Sequence, residues 1–175
     1  MPTIDHPRVL SILVLLLSSL LLQSATAQAQ GCFVLIEGAS SAPISALSGT
    51  TAAGHSTETE VLSHGFNAFR PVDGSLVPGP VEAQPLRLTK IFDGSSPRLI
   101  DAFAVGEVLK TFELTCETPG NNPIEIMRIT LLEAVVVGIS SGGLPTDPAM
   151  ETITFGYKTL TWIDPVSGRT GKVTP

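Results

Sequence analysis

The chain is poor in the residues that most catalytic and binding chemistry uses. Among 175 residues there are ten Lys and Arg, sixteen Asp and Glu, three His and two Cys, with a formal net charge of −6. The basic residues form no cluster, and a mildly acidic chain without a basic patch argues against nucleic acid or anionic lipid as a partner. His55 and His64, with Cys32 and Cys116 far apart in sequence, offer no zinc-ligand spacing. No glycine-rich phosphate loop, cofactor motif, internal repeat, coiled coil or charge block is present. The sequence therefore reads as a non-enzyme with no catalytic residue, no metal and no cofactor.

Long hydrophobic runs are equally scarce. One run, Val9–Leu22, is apolar apart from Ser11, Ser18 and Ser19, and Arg8 is the only basic residue before it. Asp5 offsets that charge. Small residues follow, and both Ala25-Thr26-Ala27 and Ala27-Gln28-Ala29 fit the small-x-small rule, so cleavage is expected after Ala27 or Ala29. The run is too short and wrongly flanked for a stable membrane span; an uncleaved anchor is the alternative. Residues 1–27 are thus expected to be a signal peptide and 28–31 a short linker. The chain is then exported, to the periplasm or beyond, with no further span to hold it in a membrane. Removing Asp5 and Arg8 together leaves the formal charge at −6.

In an oxidising compartment the two cysteines are expected to pair as a Cys32–Cys116 disulfide. Lipidation of Cys32 is the rival reading. Ala29 and Gln30 make a poor lipobox, and Cys32 lies ten residues beyond the apolar run.

High glycine and proline with few charges suit a turn-rich β protein. The stretch Leu86–Cys116 reads as strand, short helix, strand. Leu86, Leu88 and Lys90 alternate with Arg87, Thr89 and Ile91. Asp93-Gly94 ends that strand, Ser96 is placed as an N-cap, and Pro97 falls at the first helical position. Leu99, Ile100 and Phe103 recur at helical spacing, and Gly106 is placed to end the helix, which spans about 97–105. Phe112, Leu114 and Cys116 then alternate with Thr111, Glu113, Thr115 and Glu117, the pattern of a half-buried strand.

Elsewhere, Cys32–Ile36 suits a buried strand, and 39–57 reads as a long exposed loop. Glu58–Phe69 holds a strand with a bend at Gly65, and two irregular stretches follow, around Pro71–Gly74 and Val77–Pro85. Ile124–Ile139 reads as one long strand whose Val and Ile content and Pro/Gly flanks favour strand over helix. Gly142–Pro148 is a loop, a last strand runs to about Trp162, and 165–175 is a C-terminal tail.

Gly138-Ile139-Ser140-Ser141-Gly142 matches G-x-S-x-G, but that motif needs a helix after its serine. Gly143, Pro145 and Pro148 follow instead, so the match is read as chance. His64 and Ser63 are neighbours on a strand and point to opposite faces. Glu125 and Glu133 share a face if their strand is continuous, which suits a solvated face rather than a carboxylate pair.

These segments resemble the haemolysin-coregulated protein (Hcp) family of type VI secretion systems. CFVLIEG is similar to the family's first strand, Glu60-Val61-Leu62-Ser63 to its second, and Leu88-Thr89-Lys90-Ile91 followed by Asp93-Gly94-Ser95-Ser96-Pro97-Arg98-Leu99 is the most specific piece. Ile129-Thr130-Leu131, the Ser140–Gly143 loop and Ile153-Thr154-Phe155 to Trp162 extend the likeness, so that residues 32–164 form one domain. The resemblance implies a mainly β fold, a compact barrel of two sheets with one helix on its side. It also implies homohexameric rings that stack into a tube, with other secretion-machine components and small effector cargo as partners. Tube proteins of this family normally lack a signal peptide, so the fold and the ring-forming role transfer more directly than a place in the machine. The alternative is an exported monomeric binding or adhesion module that reuses the barrel.

Overall fold

The computed structural model describes residues 31–39, 43–120, 122–143 and 147–175. The expected signal peptide and the expected cleavage residues, Ala27 and Ala29, lie outside them. In chain order the elements are β1 (Gly31–Glu37), β2 (Thr59–Glu60), β3 (Ser63–Gly65), β4 (Ala68–Phe69), β5 (Glu82–Ala83), β6 (Leu86–Ile91) and α1 (Ser96–Val105). There follow β7 (Val108–Leu109), β8 (Thr111–Glu117), β9 (Glu125–Leu132), β10 (Ala134–Gly142), β11 (Met150–Gly156), β12 (Thr159–Asp164) and β13 (Arg169–Val173).

Two antiparallel sheets dominate. One runs β13-β12-β9-β8-β1-β2 and the other β3-β6-β11-β10-β7, while β4 and β5 form a separate two-stranded arm. Inward positions follow the period of two: Val34 and Ile36 on β1, Phe112 and Leu114 on β8, Leu86 and Leu88 on β6, Ile153 and Phe155 on β11. Their side chains meet between the sheets in one core that also takes Leu99 and Ala102 from α1, and Phe112 packs edge-on against Phe155 at 4.8 Å.

The sheets are linked where the chain turns corners, and two of these corners correct the sequence reading. The segment 124–139 is not one strand. It breaks at Glu133, whose φ is +51°, and β9 belongs to one sheet while β10 belongs to the other. Apolar residues on both sides of the break hide it in the sequence. Glu125 and Glu133 therefore do not share a strand face. The final strand breaks likewise at Tyr157-Lys158, sending β11 and β12 to different sheets. The corners lie together: the Lys158 backbone N–H donates to the Leu132 carbonyl at 3.0 Å, and the Lys158 ammonium sits 2.8 Å from Glu133 Oε1.

Residues 165–175 are not a tail. Asp164 Oδ1 accepts the N–H groups of Val166 and Ser167, Gly168 takes a φ of +71°, and β13 returns along β12 with Leu160 opposite Val173. An exposed edge strand needs no apolar alternation, so its polar sequence reads as coil. The segment 58–69 is likewise divided, into β2, β3 and β4.

The stretch 43–58 is not a freely exposed loop. Ile44 and Ser45 are each 1% exposed, and Ser45–Ser48 forms one 3-10 turn. Ser45 Oγ accepts the Ile36 N–H at 3.0 Å and donates to the Thr57 carbonyl at 2.6 Å. Short hydroxyl side chains bonding to backbone hold this segment, and such bonds leave no periodic trace in sequence.

Helix α1 begins one residue earlier than Ser96 as a cap implies. Ser95 is the N-cap, Ser96 is already helical, and the helix ends on left-handed Gly106 with its N–H bonded to the Phe103 carbonyl. Leu99 and Ala102 face the core, whereas Ile100 and Phe103 are exposed.

Candidate functional site

The junction between β6 and α1 is built around a buried lysine. Lys90 is in phase with Leu86 and Leu88, so the strand period carries it inward. It is 2% exposed and lies opposite Glu151, itself 2% exposed, across the β6–β11 pair. Its ammonium sits 2.9 Å from Glu151 Oε1 and 2.8 Å from Asp93 Oδ1, and it donates to the Ile91 carbonyl at 2.8 Å. Ser96 Oγ donates to Glu151 Oε1 at 2.7 Å and accepts the Asp93 N–H at 3.0 Å. Asp93 Oδ1 also accepts from the Ser95 N–H and hydroxyl. Gly94 passes so close to 45–48 that an added Cβ would lie 2.2 Å from the Leu47 carbonyl oxygen. The Asp-Gly-Ser-Ser sequence is thus an anchor for the helix, with its buried side-chain polar atoms hydrogen-bonded.

The helix so fixed presents an apolar outer face. Ile100 and Phe103, one turn apart, are 46% and 45% exposed. Past Gly106 the chain enters β7, where Val108 is exposed and pairs with Val135 of β10. Val135 and exposed Val137 flank Gly156, whose missing side chain leaves them room. A second apolar group is the cross-strand pair Ile91 and Met150, with Phe92 beside it. The arm of β4 and β5 carries exposed Phe69, Val72, Leu76 and Val77. A groove of about 380 Å³ lined by Phe66, Asn67, Gln84, Pro85 and Arg87 lies at its base.

At one end of the core Cys32 and Cys116 stand directly opposite each other on β1 and β8, with Cα atoms 4.1 Å apart and the sulfurs joined as a disulfide. The Cys32 carbonyl bonds to the Val61 N–H on the β2 side, so toward β8 this is a non-hydrogen-bonded pair, the type that brings side chains closest. His64 reaches the same place from β3. One donor atom each from Cys32, Cys116 and His64 lies within 4.8 Å of the others. Burial lowers the His64 pKa from its ordinary value. The absence of zinc spacing in sequence therefore misses a cluster that the strand register assembles.

His55 is also not where a flexible loop would leave it. Its ring stacks on Phe33 at 3.7 Å, with Nδ1 2.6 Å from Glu58 and Nε2 3.3 Å from Glu117. Ser140 lies exposed within β10, opposite Thr152. It sits in a strand rather than on a strand-to-helix turn, and its cross-strand neighbours are hydroxyls, as at Thr89 and Thr152.

Residues 36–163 match the model of the family described as "Type VI secretion system effector, Hcp". The chain belongs to the Hcp family. Solved Hcp structures share the fold. One Hcp protein superposes with a TM-score of 0.77 at 22% identity, covering 84% of this chain and all of that one. The Hcp1 protein of the E. coli EAEC 042 pathovar gives 0.75 at 21% identity, with 84% and 100% covered. A secreted protein, Hcp3 from Pseudomonas aeruginosa, gives 0.66 at 26% identity, with 83% and 98% covered. No curated protein matches the sequence. The Hcp match takes in the whole Lys90–Glu151 anchor and α1, but stops within β12 and begins after Cys32, so β13 and one half of the cysteine pair lie outside it. The family is that of the structural tube protein of type VI secretion, which is where the sequence resemblance pointed.

The sequence pattern places Lys90 on a strand but assigns it no role. A lysine in phase with two inward leucines is the signal that marks it. Among the described residues no helix is long and apolar enough to cross a membrane.

Proposed function

We propose that this Hcp-family chain is an exported, non-enzymatic protein that assembles into hexameric rings, and that rings stack into a tube able to hold small effector cargo or to meet other components of a secretion machine. The observation that carries the reading is the apolar band on α1 and the neighbouring sheet edge. Ile100, Phe103, Val105, Val108 and Val137 are all between 45% and 76% exposed in the single chain. Side chains of this size gather on an outer surface where they meet another protein surface. Cyclic symmetry can bury one such surface against a different surface of the next copy and close on itself.

Export is supported by the Val9–Leu22 run with its small-residue sequel, and by a cysteine pair already set in strand register. Light scattering and negative-stain imaging of the mature chain test the assembly. Hexamer-sized rings are expected. A monomer at every concentration would instead favour a binding or adhesion module.

A further inference from the structure

The end of the core that holds Cys32, Cys116 and His64 has the composition of a metal site. Three strands deliver these residues for separate reasons. Cys32 shares the inward face of β1 with Val34 and Ile36, and Cys116 shares that of β8 with Phe112 and Leu114. His64 pairs with buried Leu88 and so faces inward from the other sheet. The chain crosses between sheets just before it: Val61 bonds to Cys32 on β1, and Leu62 bonds to Thr89 on β6. That crossing is what sets the imidazole over the sulfurs. The three donor atoms already lie within 4.8 Å of one another, with Cys116 fully buried and the other two half-buried.

We propose that reduction of the Cys32–Cys116 disulfide turns this cluster into a three-ligand site for zinc or another thiophilic d10 cation. Two thiolates and a neutral imidazole suit such an ion, and the half-buried side leaves a fourth position for water. Tetrahedral bonding at zinc–sulfur distances of about 2.3 Å sets the two sulfurs roughly 3.8 Å apart. Neighbouring strands with Cα atoms 4.1 Å apart reach that by side-chain rotation alone. A dithiol reductant supplies the two electrons that break the S–S bond and leaves as its own disulfide, and each cysteine sulfur takes one proton. Metal binding then releases those two protons and forms two metal–sulfur bonds. In a reducing compartment the ion thus ties β1 to β8 in place of the disulfide, and adds β3 of the second sheet. The inference does not depend on ring formation.

Cobalt titration of the mature chain, reduced and then freed of reductant under anaerobic conditions, is the test. One Co2+ per chain is expected, with tetrahedral d–d bands and sulfur-to-cobalt charge transfer, both abolished by excess Zn2+. The oxidised chain should show neither. Loss of a partner that merely orients a ligand already lowers metal affinity by about 10–100-fold, so His64→Ala, which removes a ligand outright, should weaken Zn2+ binding by about 10-fold or more. Cys32→Ser, which leaves Cys116 as the single thiolate, should lower the charge-transfer intensity per bound cobalt to about half or less. A thermal melt covers the case in which reduction unfolds the chain, since zinc should then restore the folded transition. A reduced chain that binds no cobalt, that binds it equally well as His64→Ala, or that unfolds and is not restored by zinc contradicts the proposal.

Discussion

Lys90 and Glu151 face each other across β6 and β11 with their charged atoms 2.9 Å apart, and neither is more than 2% exposed. Removing one partner of a buried ion pair leaves the other charge without compensation, which costs about 3–5 kcal/mol. Lys90→Met should therefore destabilise by roughly that amount in urea unfolding. Lys90→Met combined with Glu151→Leu should recover part of the loss, because the fully buried carboxylate is then gone as well and only the more exposed Asp93 is left without the lysine. A Lys90→Met chain as stable as the wild type would remove the anchor role.

Cys32→Ala with Cys116→Ala opens a covalent link across 84 residues. In the chain-entropy model such a link is worth roughly 4–5 kcal/mol, so the double variant should unfold at much lower denaturant concentration. Thiol titration of the purified, non-reduced protein should find no free thiol before denaturation or after it. Two thiols per chain would contradict the pairing.

The period of two made β6 and β8 legible, because Leu86, Leu88, Phe112 and Leu114 are buried on one side only. Gly106 was legible as a helix stop because its left-handed conformation favours glycine. The break at Glu133 was not, since a strand that leaves one sheet for another keeps apolar residues on both sides of its corner. Strand β13 was hidden by its solvent-exposed, charged sequence. Ile100 and Phe103 have helical spacing, yet sequence alone does not say that the core takes Leu99 and Ala102 in their place. The Cys32–Cys116–His64 cluster arises from pairings between distant strands, which no local pattern encodes.

Ser140 is exposed on β10 and lacks the turn that a nucleophile elbow requires. Ser140→Ala should change stability by no more than about 0.5 kcal/mol, as surface substitutions do, and should alter no ester hydrolysis above background. A serine-dependent hydrolysis rate would overturn the non-enzymatic reading.

Export predicts a mature chain beginning at Gln28 or Gln30, after cleavage at Ala27 or Ala29. Intact mass of protein recovered outside the cytoplasm checks this. A full-length chain that still begins at Met1 and remains in the cytoplasm would contradict it.

Phe103 is 45% exposed on the outer face of α1, so a charge there disturbs the folded single chain little and an intersubunit contact strongly. Phe103→Asp should keep its unfolding midpoint close to the wild type and lose the ring. A Phe103→Asp ring as stable to dilution as the wild type would place the contact elsewhere.

The most direct test of the account is the mass of the mature chain in solution, by light scattering from micromolar to millimolar concentration, with negative-stain images of the same samples. Hexamer-sized particles that appear as rings are the expected result. A monodisperse monomer across that range, with no rings on the grid, would contradict it.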